Sequence, residues 1–189
     1  MMFRSQTRWW CSALALAGAL LGRTPAVEPP PLAEHQIKAL YLFNFTKYVE
    51  WPAATNNATP FVIGVCEARE VKDDLVEITR DKRVQGRPIV VQTIKAAQDV
   101  ATCQLLFIGA TDQARLVDLL KLARNSAVLT VGETEDFLAQ GGIINFVRQE
   151  NNMRVAISLD AAQRARLVVS AKLLAVAKLV KGRPEAPRK

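Results

Sequence analysis

Four kinds of side chain carry the chemical potential of this sequence: its single histidine, His35; the acidic group Glu133, Glu135 and Asp136; the cysteine pair Cys66 and Cys103; and the arginines Arg164 and Arg166. A lone histidine has no second base with which to build a nucleophile–base constellation, and no Cys–His set has metal-ligand spacing. His35 therefore reads as a solvated residue at a helix start. The acidic group has the composition to hold a cation or to act as an acid–base pair. It also stands before an expected short helix, Thr134–Gln140, where acids complement the helix dipole, and that reading is preferred. Gly141-Gly142 follows this helix rather than opening one and lacks phosphate-loop spacing, so it reads as a turn. Arg164 and Arg166 suit an acidic partner or a small anion, although an exposed helix face is the preferred account of them. The expectation is no enzyme, no catalytic or metal residues and no cofactor.

The cysteines allow two readings. An even count in an exported chain favours a disulfide. Yet Cys66 follows one apolar strand-like run and Cys103 begins another. If those strands are parallel neighbours, the thiols lie roughly 15 Å apart at about 3.3 Å per residue, whereas a bridge needs Cα atoms within about 7 Å. Bridged and separate thiols both remain open.

The elements that position these residues follow from composition and periodicity. The chain has 189 residues, half of them hydrophobic and 23% charged, as expected for one globular domain. Residues 1–26 read as a cleavable export leader: Arg4 and Arg8 precede the apolar run Trp9–Leu21, which is short for a membrane span, and small residues follow at Thr24-Pro25-Ala26. Cys11 lies inside that run. Loss of the leader removes three arginines, so 22 basic residues face 18 acidic ones and the formal charge falls from +7 to +4. No interleaved aromatic–basic patch points to nucleic acid.

A Pro-rich lead-in (27–34) precedes the domain (35–181), and a basic tail (182–189) follows it. The domain opens with a helix over His35–Pro52, apolar around much of its circumference, with Ile37, Leu40, Tyr41, Asn44, Phe45 and Tyr48 at helical spacing. Trp51-Pro52 ends it. A polar loop, Pro52–Pro60, contains the glycosylation triplet at Asn57. Strands are expected at Phe61–Val65, Ile89–Thr93, Cys103–Ile108 and Ala127–Val131, and helices at Val71–Asp81 and after Thr111 or Asp112. Ile143–Arg148 and Met153–Ser158 flank Glu150-Asn151-Asn152 as a hairpin. Asp160 and Gln163 then sit at N-cap and N3 spacing of a long helix through about Lys181. This pattern predicts an α/β fold: a mostly parallel sheet flanked by helices on both faces, with a C-terminal antiparallel hairpin and a long final helix.

Taken in order, KALYLFNFTKYVEWP, FVIGV, GRPIVV, CQLLFIG, VLTV, GGIINFV and SAKLLAVAKLV resemble the YfiR-like family across about Ala33–Val180. The most specific segments are Phe45–Pro52, Gly141–Phe146 and Ser170–Leu174. The resemblance implies a periplasmic, often dimeric regulator that binds the periplasmic sensor portion of an inner-membrane diguanylate cyclase and holds it inactive. An outer-membrane OmpA-like lipoprotein would relieve that inhibition, with cyclic di-GMP and biofilm formation as the output. Related domains serve as sensor inputs of membrane kinases. The chain lacks the cysteine pair that flanks Gly141–Phe146 in the family's namesake, so the resemblance does not extend to redox control there. Apolar excess on the first and final helices nominates them for partner or dimer contact, with Phe43, Phe45, Tyr48, Trp51, Arg164 and Arg166 as the candidate residues. The alternative is a periplasmic sensor holding a small ligand at the carboxyl ends of the parallel strands.

Overall fold

The computed structural model describes residues 31–52, 59–124, 126–150 and 152–180. The expected leader, the first half of the lead-in, loop residues 53–58 with Asn57, and the basic tail lie outside the described residues. Two units cluster separately, Met1–Pro31 and Leu32–Lys189, and the elements among the described residues belong to the second.

That unit runs α1 (Glu34–Tyr48), β1 (Val49–Glu50), β2 (Phe61–Cys66), α2 (Arg69–Thr79), β3 (Arg83–Val84), β4 (Arg87–Thr93), a 3-10 segment (Ala97–Thr102), β5 (Leu105–Ile108), α3 (Gln113–Ala123) and β6 (Leu129–Gly132). It continues through β7 (Ile144–Gln149), β8 (Asn152–Ser158), α4 (Leu159–Arg164), β9 (Val168–Val169), α5 (Ala171–Leu174) and β10 (Lys178–Val180). The main sheet has the order β10-β8-β7-β6-β5-β2-β4-β3, and β1 pairs separately with β9. Pairing is parallel from β4 through β7 and between β8 and β10; β7–β8 and β3–β4 are antiparallel. This is the expected α/β class with its antiparallel hairpin.

Continuous apolar runs make the central strands because both faces are covered. Along β5, Leu105 and Phe107 enter one core while Leu106 and Ile108 enter the other. The first core takes Ala39, Leu42 and Phe45 of α1 with Val71 and Leu75 of α2; the second takes Leu116, Leu119 and Leu120 of α3. The chain passes from β2 through α2 to β4 on one side, then returns to β5 on the other side of β2. The strand order therefore reverses between β2 and β5, where open α/β sheets commonly form ligand crevices at their carboxyl ends.

Three sequence expectations are corrected. The buried face of α1 consists of Ala39, Leu42, Phe45 and Thr46, while Leu40 and Tyr48 of the expected stripe are exposed. A helix apolar on most sides offers periodicity no single face to select. Residues 134–140 form successive turns rather than a helix, closed by Gly142 N–H donating to the Phe137 carbonyl at 2.9 Å. The long final helix is replaced by α4, β9, α5 and β10. Ser158, not Asp160, caps α4, its Oγ accepting from Ala161 N–H. Arg166 then takes a left-handed φ of 58°, which ends the helical path. The β-branched Val168-Val169 pairs with Val49-Glu50, and Ser170 caps α5.

The Gly141-Gly142 segment has a packing reason. Phe137 is fully buried, and a Cβ at Gly132 or Gly142 would lie 2.2 Å from its ring. Gly142→Ala is expected to destabilise the domain by about 1–3 kcal/mol, the usual cost of overpacking, as read by urea denaturation. An unchanged midpoint would contradict this wedge.

Candidate functional site

The carboxyl edge of the sheet holds a cleft of about 530 Å³ beyond β5 and β6, walled by Leu32, Ile37, Phe146 and Met153 among others. Ions from three parts of the fold meet at its rim. Lys38 of α1 donates to Glu133 Oε2, just past β6, and pairs with Glu34 Oε1 at 2.7 Å one turn earlier on its own helix. Glu133 Oε1 accepts from Ala110 N–H at 3.0 Å, after β5, and Glu34 Oε2 accepts from Arg148 of β7. Burial works against the Lys38 charge, its side chain being only 13% exposed, but the hydrogen bonds to Glu133 and then Glu34 outweigh it and raise its pKa. The hydrogen bond from Lys38, with the added positive field of Lys38 and Arg148, lowers the Glu34 pKa against a smaller opposing desolvation. The network is charge-balanced and ties the start of α1 to the sheet.

Glu133 thus does not complement a helix, because no helix follows it. It closes the β5 turn and receives Lys38. Glu135 and Asp136 are exposed, and among the described residues no group of three or more His, Cys, Asp or Glu could hold a metal ion.

His35 is not simply solvated. Its Nδ1 lies 2.5 Å from Asp74 Oδ2 on α2, so it joins the two helices that cover one face of the sheet. The Asp74 hydrogen bond dominates over desolvation and raises the histidine pKa. A raised folded pKa contributes stability fully below the unfolded value of about 6.5 and loses it as pH rises through the folded value. Wild type is therefore expected to exceed His35→Gln in urea midpoint by a larger margin at pH 5.5 than at pH 8.5. A margin independent of pH would contradict the charged clasp.

The remaining candidates divide by burial. Phe45 is 1% exposed and Trp51 9%, and both belong to the core; Trp51 Nε1 donates to the Gln104 carbonyl at 2.9 Å. Phe43 is half-buried beneath the ammonium groups of Lys47 and Lys82. Tyr48, Arg164 and Arg166 are exposed. The β1–β9 pairing brings the end of α1 beside the segment carrying Arg166: Ser170 N–H donates to the Tyr48 carbonyl at 2.9 Å, and Val168, itself 60% exposed, stands opposite Glu50.

Cys66, the last residue of β2, and Cys103, two residues before β5, are free, buried thiols. Cys66 aligns with Ile108, five residues past Cys103, whose Sγ packs against Gly64, two residues before Cys66. Desolvation raises both thiol pKa values, which disfavours the reactive thiolate. Under non-reducing conditions both cysteines are expected to resist thiol reagent in the folded protein and to react stoichiometrically in guanidinium. A mass two hydrogens lighter with no reactive thiol would contradict this.

Buried Arg87 and half-buried Gln104 carried no sequence signal. Arg87 donates to the Thr59 and Pro60 carbonyls at 2.8 and 2.6 Å, and Gln104 Oε1 accepts from Val62 N–H at 2.7 Å. They organise the amino end of the sheet, opposite the cleft.

Fold and rim define a doubly wound α/β domain with an ion-bridged crevice at its carboxyl edge. Residues 35–178 match the YfiR/HmsC-like family, and the chain belongs to it. That family comprises periplasmic, regulatory rather than catalytic proteins that act with membrane signalling proteins in the cyclic di-GMP context. No curated protein matches the chain. A solved conserved domain protein from Vibrio cholerae O1 biovar El Tor is similar at 12% identity and a TM-score of 0.50, over 79% of this chain and 61% of that one. The ABC domain from Streptococcus pneumoniae, solved with L-Trp, aligns at 11% identity and a TM-score of 0.49, over 75% of this chain and 60% of that one. The chain spans about three fifths of each structure. The Vibrio likeness concerns fold alone.

Proposed function

We propose that this protein is exported to the periplasm and restrains an inner-membrane diguanylate cyclase by binding its periplasmic sensor portion, lowering cyclic di-GMP and biofilm formation. The observation that carries this reading is the family match across residues 35–178. Tighter binding to the inactive arrangement of the cyclase than to the active one shifts the population. Moving it from 1:99 to 99:1 takes a difference of about 5.5 kcal/mol, within reach of a modest interface with one apolar anchor. The corner formed by Tyr48, Val168 and Arg166 suits such a contact: exposed apolar side chains lie beside a short paired strand, with a cation two residues before it. Phe43 and Arg164 extend the candidate surface. A second copy of the chain and an OmpA-like lipoprotein are further partners consistent with this role.

Deleting the gene is expected to raise cellular cyclic di-GMP several-fold, and wild-type complementation to reverse the rise. Val168→Asp combined with Tyr48→Ala should fail to reverse it while retaining near-native circular dichroism. No change on deletion under several growth conditions would overturn the cyclase reading. Full complementation by the double variant would overturn the proposed contact.

A ligand-sensing role is favoured by one detail of the cleft. Thr134 lines it, and its Oγ1, shielded from solvent, has no hydrogen-bond partner among the described residues. A ligand seated there would raise the melting temperature progressively with its concentration.

A further inference from the structure

A second cleft, of about 710 Å³, opens at the carboxyl ends of β2 and β4, and its wall has a different electrical character. Arg69 and Lys72 enter it from the first turn of α2, Lys95 from just beyond β4, and Arg115 from the first turn of α3, against Glu67 as the one acid in the lining. Two of these cations have partners. Arg115 Nη1 lies 2.9 Å from Glu67 Oε1 and its Nη2 donates to the Lys95 carbonyl at 3.4 Å, which fixes the guanidinium against the rim. Arg69 lies 3.7 Å from Asp73 on an open helix face, where such a pair holds little charge in place. Lys72 and Lys95 have no acidic or hydrogen-bonding partner among the described residues for their ammonium groups.

We propose that this cleft binds a small phosphate-bearing anion. Gathering like charges around a concave wall raises the local potential and concentrates counter-ions of opposite sign. The two cations without an internal partner match the two charges of a phosphate group near neutral pH. Arg115, already oriented by Glu67, supplies planar donors suited to phosphate oxygens. The volume lies within the range of small-molecule sites, and the place beside the strand-order reversal is where this kind of sheet commonly binds ligands. Glu67 contributes through its backbone as well: its left-handed φ of 53° turns the chain out of β2 at the mouth of the cleft. The site is separate from the Lys38–Glu133 cleft and does not depend on the regulatory reading.

The test uses the full chain and inorganic phosphate as the probe, followed by titration calorimetry and by amide chemical shifts. Phosphate should bind saturably, with shifts concentrated at residues 67–72 and 93–95, and affinity should fall about tenfold or more in Lys72→Gln/Lys95→Gln. Lys47→Gln/Lys82→Gln, which removes the cations over Phe43, should leave affinity unchanged. Any of three results overturns the proposal: a response matched by chloride at equal ionic strength, undiminished affinity in Lys72→Gln/Lys95→Gln, or shifts spread over the surface. Binding to phosphatidylglycerol vesicles without binding to free phosphate would also overturn it, since the cleft would then read a membrane surface. The shift map of the wild type decides the matter even if a variant folds poorly.

Discussion

The contact on which the rest of this domain depends is the aromatic seam between α1 and the sheet. Phe45 stacks on Phe146 of β7 with ring centroids 6.1 Å apart, and Phe146 meets Phe107 of β5 edge-on at 6.0 Å. Tyr41 adds edge contact with Phe146 at 5.9 Å. Each such ring removes a large apolar area from water, and the seam joins the first helix to strands about 60 and 100 residues later in the chain. Once α1 is seated, its polar residues are committed too. Lys38 faces Glu133, His35 faces Asp74, and Trp51 reaches the Gln104 carbonyl.

The two ends of the sheet are built for different purposes. At the amino end, Gln104, Arg87 and Trp51 meet backbone groups of neighbouring segments in a closed set of hydrogen bonds. Such a buried set, when satisfied, rigidifies its surroundings. At the carboxyl end, left-handed Glu67 and the turns around Gly109 and Gly132–Gly142 leave two separate crevices, one with balanced charge and one with positive excess. A regulatory domain gains from that division: one rigid end holds the architecture while the other is free to meet ligands.

Much of this was legible in the sequence wherever one physical cause dominated. FVIGV, CQLLFI and AVLTV gave strands because β-branched and apolar residues ran without interruption, and Asp112 gave a helix start because its side chain accepts from Arg115 N–H at 2.9 Å. The failures have equally definite causes. The burial face of α1 was hidden by apolar residues on nearly every side. The final helix was overread because Asp160–Gln163 spacing outweighed Val168-Val169, whose pairing partner lies about 120 residues earlier. Lys38–Glu133 and His35–Asp74 join residues far apart in sequence, beyond the reach of local pattern. The segments that most specifically resembled the family prove to be architectural: Phe45 and Trp51 fill the core, Gly142 admits Phe137, and Ser170 caps α5. They identify the fold securely, and they are not the exposed residues Tyr48, Val168 and Arg166 proposed for partner contact.

The central claim is that α1 is a permanent part of the core and not a detachable partner helix. Native-state hydrogen exchange of the Leu42–Thr46 amides, followed in increasing denaturant, tests it most directly. If the aromatic seam holds the domain together, these amides exchange only through global unfolding and share the denaturant dependence of β5 and β6. Exchange through a local opening with little denaturant dependence, well before the central strands, would contradict the account.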